Sequence, residues 1–330
     1  MFDEATSRAS GIASFLATVP LLEGIPEPEL EDLAAVLTRR TRPAGDVLWR
    51  QGDEARGMAL VVDGRVSISL RLPGERDVEL TSVGPGEVLG EIPLLDGGEH
   101  SATARVAEPA TLLSLNRADF VALVARRHPT AFTLKRRLTA IACARLRRQL
   151  GDLAGSLTGE AREEPAAARA PAAGELEPCG PPDSAYVRRL ATFRSFDSLA
   201  LWGFLTAGRY ARCPGGRMVV AEGEASPACY LTINGAVEKV IVRGGRRIRV
   251  GLAGPGLAFG YESLIDGGPS PVTAITRERT LMLVLPPEAF ERLFHGEEPG
   301  SHVFLDVIQR DLTAALRQGL RPHARLAASL

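Results

Sequence analysis

The sequence predicts a mainly β protein with flanking α-helices, organised as two jelly-roll β-barrels in tandem. Three features lead there. One stretch occurs twice without a gap, at Gly86–Ala104 (GEVLGEIPLLDGGEHSATA) and Gly256–Ala274 (GLAFGYESLIDGGPSPVTA). The copies stand 170 residues apart, a period that means two whole domains rather than a solenoid of short repeats. Around each copy, short β-prone runs alternate with turn residues at roughly ten-residue intervals, as a sandwich or jelly roll requires. Each half then closes on an amphipathic helix.

The first half opens with helices over residues 5–18 and Pro28–Arg39. Pro28 and Glu29 suit a first helical turn, and Leu30, Leu33, Ala34 and Leu37 share one face. The period then drops to two. Val47–Arg50, Met58–Val62, Val66–Leu70, Val78–Val83 and Thr111–Leu115 read as strands, with Gly45, Gly52 and Asp63-Gly64 marking turns. Asn116 is an N-cap candidate for a helix carrying Phe120, Val121 and Val124. Thr130–Leu150 follows as a long helix with a stripe of Leu134, Leu138, Ile141, Ala142 and Leu146.

Residues 156–183 are rich in alanine, proline and acidic side chains and lack apolar periodicity. They read as a disordered linker between a first domain at 1–155 and a second at 184–330. The second domain repeats the scheme. Phe196–Leu205 reads as a leading helix, and Met218–Val220, Tyr230–Ile233, Val237–Val242, Ile248–Leu252 and Leu281–Leu285 as strands. Ser301–Leu320 is an amphipathic helix with Phe304, Ile308, Leu312, Ala315 and Leu316 on one side.

In the repeated stretch, two glycines four apart end an extended segment. A short apolar helical turn follows (Ile92–Leu95; Glu262–Ile265), and then an Asp-Gly-Gly turn. Such a turn presents backbone N–H groups that can hold an anion, and glycine allows close approach to the backbone. The stretch resembles the phosphate-binding cassette of the cyclic nucleotide-binding domain family, whose pattern is roughly F-G-E-x-x-L and then R-x-A-T-[VA]. Ala59–Val66 (ALVVDGRV) resembles the family's strand-turn-strand, and the likeness extends over Pro20–Arg148. The resemblance implies that the Glu slot takes the ribose hydroxyl and that the Arg slot pairs with the cyclic phosphate. It also implies that the helices after each barrel move on ligand binding and make dimer contacts.

Carried over residue by residue, the first cassette comprises Gly90, Glu91, His100, Ser101 and Thr103, with His100 in the arginine slot. The second comprises Gly260, Tyr261, Ser270 and Thr273, with Tyr261 in the Glu slot and Ser270 in the arginine slot. Glu262 falls one residue late and is expected to point elsewhere. Neither copy has the arginine. A histidine can donate to phosphate but cannot form a bidentate fork; it also reads as a surface turn residue. Glu91 reads equally as a ribose ligand or as a carboxylate at a helix N-terminus. Tyr261 reads as packing into a closed pocket. Pro269 and Pro271 stiffen the second loop and remove two donors.

Composition narrows the function. The 330 residues include 39 basic and 40 acidic side chains, for a net charge of −1, and 45% are apolar. Nothing in that balance calls for nucleic acid or an anionic membrane. Lys135, Arg136, Arg137, Arg145, Arg147 and Arg148 cluster on the long helix and read as its solvated face. No appended reader module is visible, so a nucleic-acid partner is not expected. The four cysteines form no C-x-x-C pair and read as reduced thiols. No secretory signal and no apolar run of membrane-spanning length is present, so a cytoplasmic location is expected. No hydrolase elbow, zinc-protease pair or Walker loop occurs, and no metal site, cofactor or enzymatic activity is expected. The leading expectation is a regulatory or scaffold protein acting through protein contacts, self-association included, by the helices at 130–150 and 301–320. The alternative is a sensor that binds a cyclic nucleotide or another small anion in the first pocket and repositions Thr130–Leu150.

Overall fold

The computed structural model describes residues 11–71, 77–157, 175–194, 196–243 and 246–329. The chain divides into two compact units. One runs to Ala142 and takes in the segment from Leu320 on; the other is Cys143–Gly319. The division falls inside a helix, earlier in the chain than the boundary after residue 155 expected from composition.

The helices are α1 (residues 11–16), α2 (Glu27–Val36), α3 (Glu91–Asp96), α4 (Arg117–Ala125), α5 (Pro129–Leu157), α6 (Ser184–Arg189), α7 (Ser198–Leu205), α8 (Glu262–Asp266), α9 (Pro287–His295) and α10 (Pro299–Ser329). The first unit contains strands β1 (Leu37–Arg42), β2 (Val47–Trp49), β3 (Gly57–Arg71), β4 (Asp77–Val83), β5 (Val88–Leu89) and β6 (Thr103–Asn116). They form one antiparallel sheet in the order β1-β6-β3-β4, with β2 also on β6 and β5 on β3. Alternation along β3 builds two cores at once. Met58 and Leu60 pack with Leu16, Leu30, Leu134 and Leu138 of the helices, while Ala59, Val61 and Val66 pack with Leu89, Val106 and Leu112 inside the barrel.

The second unit contains β7 (Glu177–Cys179), β8 (Arg209–Cys213), β9 (Met218–Val220), β10 (Cys229–Asn234), β11 (Val237–Arg243), β12 (Arg246–Ala253), β13 (Ala258–Phe259), β14 (Thr273–Thr276) and β15 (Thr280–Leu285). Two antiparallel sheets result, β13-β10-β15-β8-β7 and β12-β11-β14-β9. Their inner faces meet through Tyr230, Val237, Phe259, Met282 and Val284.

Several expectations need correction. The helix expected over Pro28–Arg39 ends at Val36, and Leu37–Arg39 open β1, where Leu37 pairs with Leu115. Ladder bonds along β6 are available to every residue of that segment and override its helical period. Asp63-Gly64 does not reverse the chain. Gly64, at φ 85°, bends a single long β3 where β6 comes so near that a Cβ would stand 2.2 Å from the Pro109 carbonyl oxygen. The register against β6 shifts on both sides of it, as at a bulge.

The expected linker at 156–183 falls partly outside the described residues, but its last part is ordered. Glu177–Cys179 pair with Arg212–Tyr210, and Leu176 packs on the barrel core. Pro178 is tolerated because β7 is an edge strand. Part of the first expected helix, residues 5–10, also lies outside the described residues. The basic cluster of α5 is not a solvated face. Lys135 is buried, Arg136 donates to Thr133 Oγ1 at 3.0 Å, and Arg137 donates to the Glu23 carbonyl oxygen; Arg148 is the exposed member. The apolar stripes of α5 and α10 are likewise packed within the chain, with Leu134, Leu138, Ala142, Leu146, Phe304, Ile308, Leu312 and Leu316 buried and Ile141 and Ala315 half-buried.

Candidate ligand cassettes

The two cassettes share one main-chain plan. In the first, the Gly52 N–H donates to the His100 carbonyl oxygen at 2.8 Å and the His100 N–H donates to Asp53 at 2.9 Å. In the second, Gly223 donates to Ser270 at 2.9 Å and Ser270 to Glu224 at 2.7 Å. The arginine-slot residue is thus pinned through its backbone to a glycine turn in both copies. Thr103 Oγ1 accepts from the Gln51 N–H at 3.1 Å, and Thr273 Oγ1 accepts from Glu222 at 3.1 Å. Both threonines brace the same turn. Asp96 and Asp266 each cap their Asp-Gly-Gly turn through Oδ1, accepting from Gly98 at 2.8 Å and from Gly268 at 3.0 Å.

In the first cassette, Gly90 takes φ 81° and opens α3. Glu91 follows in the first helical turn and is 1% exposed. His100 is 5% exposed, so the reading of a surface turn residue is wrong. Its imidazole stacks on the Trp49 indole with centroids 4.2 Å apart and planes 9° apart. The same indole reaches the other side of the cassette, where its Cη2 would lie 3.3 Å from a Cβ on Gly90. Trp49 therefore spans the distance between the glycine turn and the arginine slot. Ser101 is half-buried.

In the second cassette, Ser270 is buried and its hydroxyl donates to the Val272 carbonyl oxygen at 2.8 Å, so this donor is spent inside the loop. Gly260 takes φ 75° and lies against Ser226 and the Ala228 carbonyl. Tyr261 is fully buried, as expected of a side chain filling a closed pocket. Its hydroxyl donates to Asp311 Oδ2 of α10 at 2.6 Å. Lys239 Nζ of β11 donates to both oxygens of the same carboxylate, at 3.0 Å and 2.8 Å.

Glu262, expected to point elsewhere, is 2% exposed and lies within electrostatic reach of Lys239, Tyr261 and Asp311. Burial pushes its carboxyl above the ordinary range, against the opposing pull of the Lys239 ammonium. Burial alone lowers Lys239, but the Asp311 and Glu262 carboxylates outweigh it and hold the ammonium above its ordinary value. Burial, and then the two carboxylates, push the Tyr261 phenol well up. At the far end of α8, Arg147 grips Asp266 with two bonds, Nε to Oδ2 at 3.0 Å and Nη2 to Oδ1 at 2.8 Å.

Sequence reasoning passed over Trp49, Lys239 and Asp311. Two of them carried a signal. Lys239 interrupts the apolar run of β11, and Asp311 stands three residues after Ile308 on the apolar stripe of α10. Among the described residues no group of side chains could hold a metal ion, and no helix is long and apolar enough to cross a membrane.

Comparison with known proteins agrees with this duplicated plan. The family model for the cyclic nucleotide-binding domain matches residues 39–127 and 211–297, more than half of the chain. The chain is 37% identical over 123 residues to the Cyclic AMP receptor protein of Thermus thermophilus, covering 36% of this chain and 57% of that protein. It is 38% identical over 105 residues to the Cyclic nucleotide-gated potassium channel mll3241 of Mesorhizobium japonicum, covering 32% of this chain and 28% of that protein. It thus spans less than two thirds of the first relative and under a third of the second. Among solved structures, the regulatory domain of Toxoplasma gondii PKA co-crystallised with cAMP aligns over 88% of this chain and 94% of that one, at 19% identity and a TM-score of 0.34. With both of its barrels matched, the chain belongs to the cyclic nucleotide-binding domain family.

Proposed function

We propose that the chain is a non-enzymatic regulatory or scaffold protein in which both cyclic-nucleotide cassettes are retained as structure and standard nucleotide binding is weakened or lost. Trp49 carries this reading. Its indole lies between the Gly90 turn and His100, the ground on which a cyclic phosphate would be held. Without an arginine, the first slot also lacks the charge-assisted fork worth about 1.5–3 kcal/mol per bond. The protein acts through contacts with a protein partner or a second copy of itself. The helices at 130–150 and 301–320 would reach such a partner only by leaving their present packing, since most of their side chains are buried. A cytoplasmic location fits this role.

One observation favours a second reading, a small-ligand sensor. Glu91 keeps the ribose slot, buried in the first turn of α3. The Thermus thermophilus relative is by its name a cyclic AMP receptor. Calorimetric titration of the full chain with cyclic AMP and cyclic GMP separates the two. No binding by the wild type and binding gained in His100→Arg support the first reading. Tight, saturable binding that is lost in His100→Ala overturns it in favour of the sensor.

A further inference from the structure

In the second barrel an anion is already seated. The Asp311 side chain is 4% exposed and its carboxylate receives three hydrogen bonds, two from Lys239 Nζ and one from the Tyr261 hydroxyl. The two donors come from the barrel, one from β11 and one from the Glu slot of the cassette. The acceptor comes from the helix that follows the barrel. This is the composition of an anion site, with the anion supplied by the chain.

The first barrel lacks all three parts. Strand pairing sets Lys239 opposite Gly251 and Ile68 opposite Thr81, and the cassette offset of 170 residues relates these partners. Ile68 therefore stands at the place of Lys239. Glu91 stands at the place of Tyr261. Continuing the same offset along the closing helices sets Ile141 at the place of Asp311. Two isoleucines and a glutamate in one copy are replaced by lysine, aspartate and tyrosine in the other. A buried ammonium without its carboxylate, or the reverse, is strongly unfavourable, so these substitutions make sense only as a set.

We propose that the second barrel is permanently occupied by its own ligand: Asp311 fills a small-anion site formed by Lys239 and Tyr261 and locks α10 onto the cassette. Removing the carboxylate leaves a vacated site that a one-carbon or two-carbon carboxylate can fill. The site discriminates by size and charge, taking formate or acetate in the place of the Asp311 side chain. The Arg147 pair with Asp266 holds the other end of α8, so the cassette is gripped at both ends even when no diffusible ligand is present. This holds whichever reading of the first cassette is correct.

The test uses the full chain with Asp311→Ala, followed by thermal unfolding and amide hydrogen exchange in sodium formate and in sodium chloride at equal ionic strength. In chloride, exchange along α10 and over residues 261–266 should rise about a hundred-fold over wild type, as expected for opening a buried pair. Formate should reverse this with a saturable concentration dependence, and have no such effect on wild type or on the Lys239→Met/Asp311→Ala double variant. If Asp311→Ala does not fold in chloride, recovery of the fold in formate is the same positive result. Exchange unchanged in Asp311→Ala, or no difference between formate and chloride, overturns the proposal.

Discussion

The indole of Trp49 lies face to face with the imidazole of His100, 4.2 Å between centroids, so the residue in the arginine slot is covered on one side by the protein itself. Placing an arginine at position 100 alone therefore leaves an obstacle. Affinity for cyclic AMP should rise in the order wild type, His100→Arg, Trp49→Ala/His100→Arg, with the last step about ten-fold or more. Calorimetry on the three proteins checks the order; equal affinity of the two variants would show that the indole does not stand in the way. Trp49→Ala alone should cost about 2 kcal/mol of stability, from lost stacking and lost burial of a half-buried ring, measured by urea denaturation.

Alkaline pH should loosen the second barrel. The ordinary values for Lys239 and Tyr261 are 10.5 and 10.0, and the folded protein holds both above them. Groups raised in the fold contribute fully below their unfolded values and lose that contribution as pH rises through the folded ones. The groups facing them act together. Cys229 and Cys143 are raised from 9.0, chiefly by burial, and then by nearby carboxylates: Glu262 and Asp311 for Cys229, Glu262 and Asp266 for Cys143 against the pull of Arg147. The urea midpoint should therefore fall from about pH 9 upward, and Tyr261→Phe should flatten the fall. Glu262 acts at the other end. Its raised carboxyl contributes below the ordinary 4.5, and that contribution is lost as pH rises through the folded value.

Arg147 and Asp266 form a two-point pair that is about three-quarters buried. Arg147→Lys cannot reproduce the fork and should lose about 1 kcal/mol; Arg147→Ala should lose about 1–2 kcal/mol. A double-mutant cycle with Asp266→Ala, read by denaturation, should return most of that loss as coupling.

Gly64 tests the bend in β3. With φ at 85° and the Pro109 carbonyl where a Cβ would sit, Gly64→Ala must move one strand away from the other. The expected loss is about 2 kcal/mol or more. Gly45 also has positive φ, at 92°, but no atom lies within 4 Å of its Cβ position; Gly45→Ala should cost about 1 kcal/mol. Comparing the two midpoints separates close approach from backbone strain.

The barrels were legible because their signals are local. Asn116 caps α4 by accepting from the Ala118 N–H at 2.9 Å, as its position before Phe120 predicts, and β9 spans the expected Met218–Val220. What sequence hid depends on partners far along the chain. Leu37–Arg39 take strand geometry only because β6 lies beside them. Glu177–Cys179 look like linker until the edge of β8 is there to receive them. Trp49 reads as one more strand residue, and its meaning comes from His100, which is brought near by the Gly52 turn. Lys239 and Asp311 are 72 residues apart, and each alone is a fault in an apolar pattern. Only the fold turns two faults into a pair.

The main-chain clasp at His100 and Ser270 has a further consequence. Because the frame holds this residue by its N–H and C=O, the two bonds of the clasp do not depend on what the side chain is. An imidazole and a hydroxymethyl group have already been accommodated on the same two bonds. Positions 100 and 270 are thus sockets anchored through the main chain, while the wall around each, Trp49 at position 100, still limits which side chain fits. The backbone anchor can therefore stay in place while the side chain it carries changes, although at position 100 a larger group must also displace the Trp49 indole.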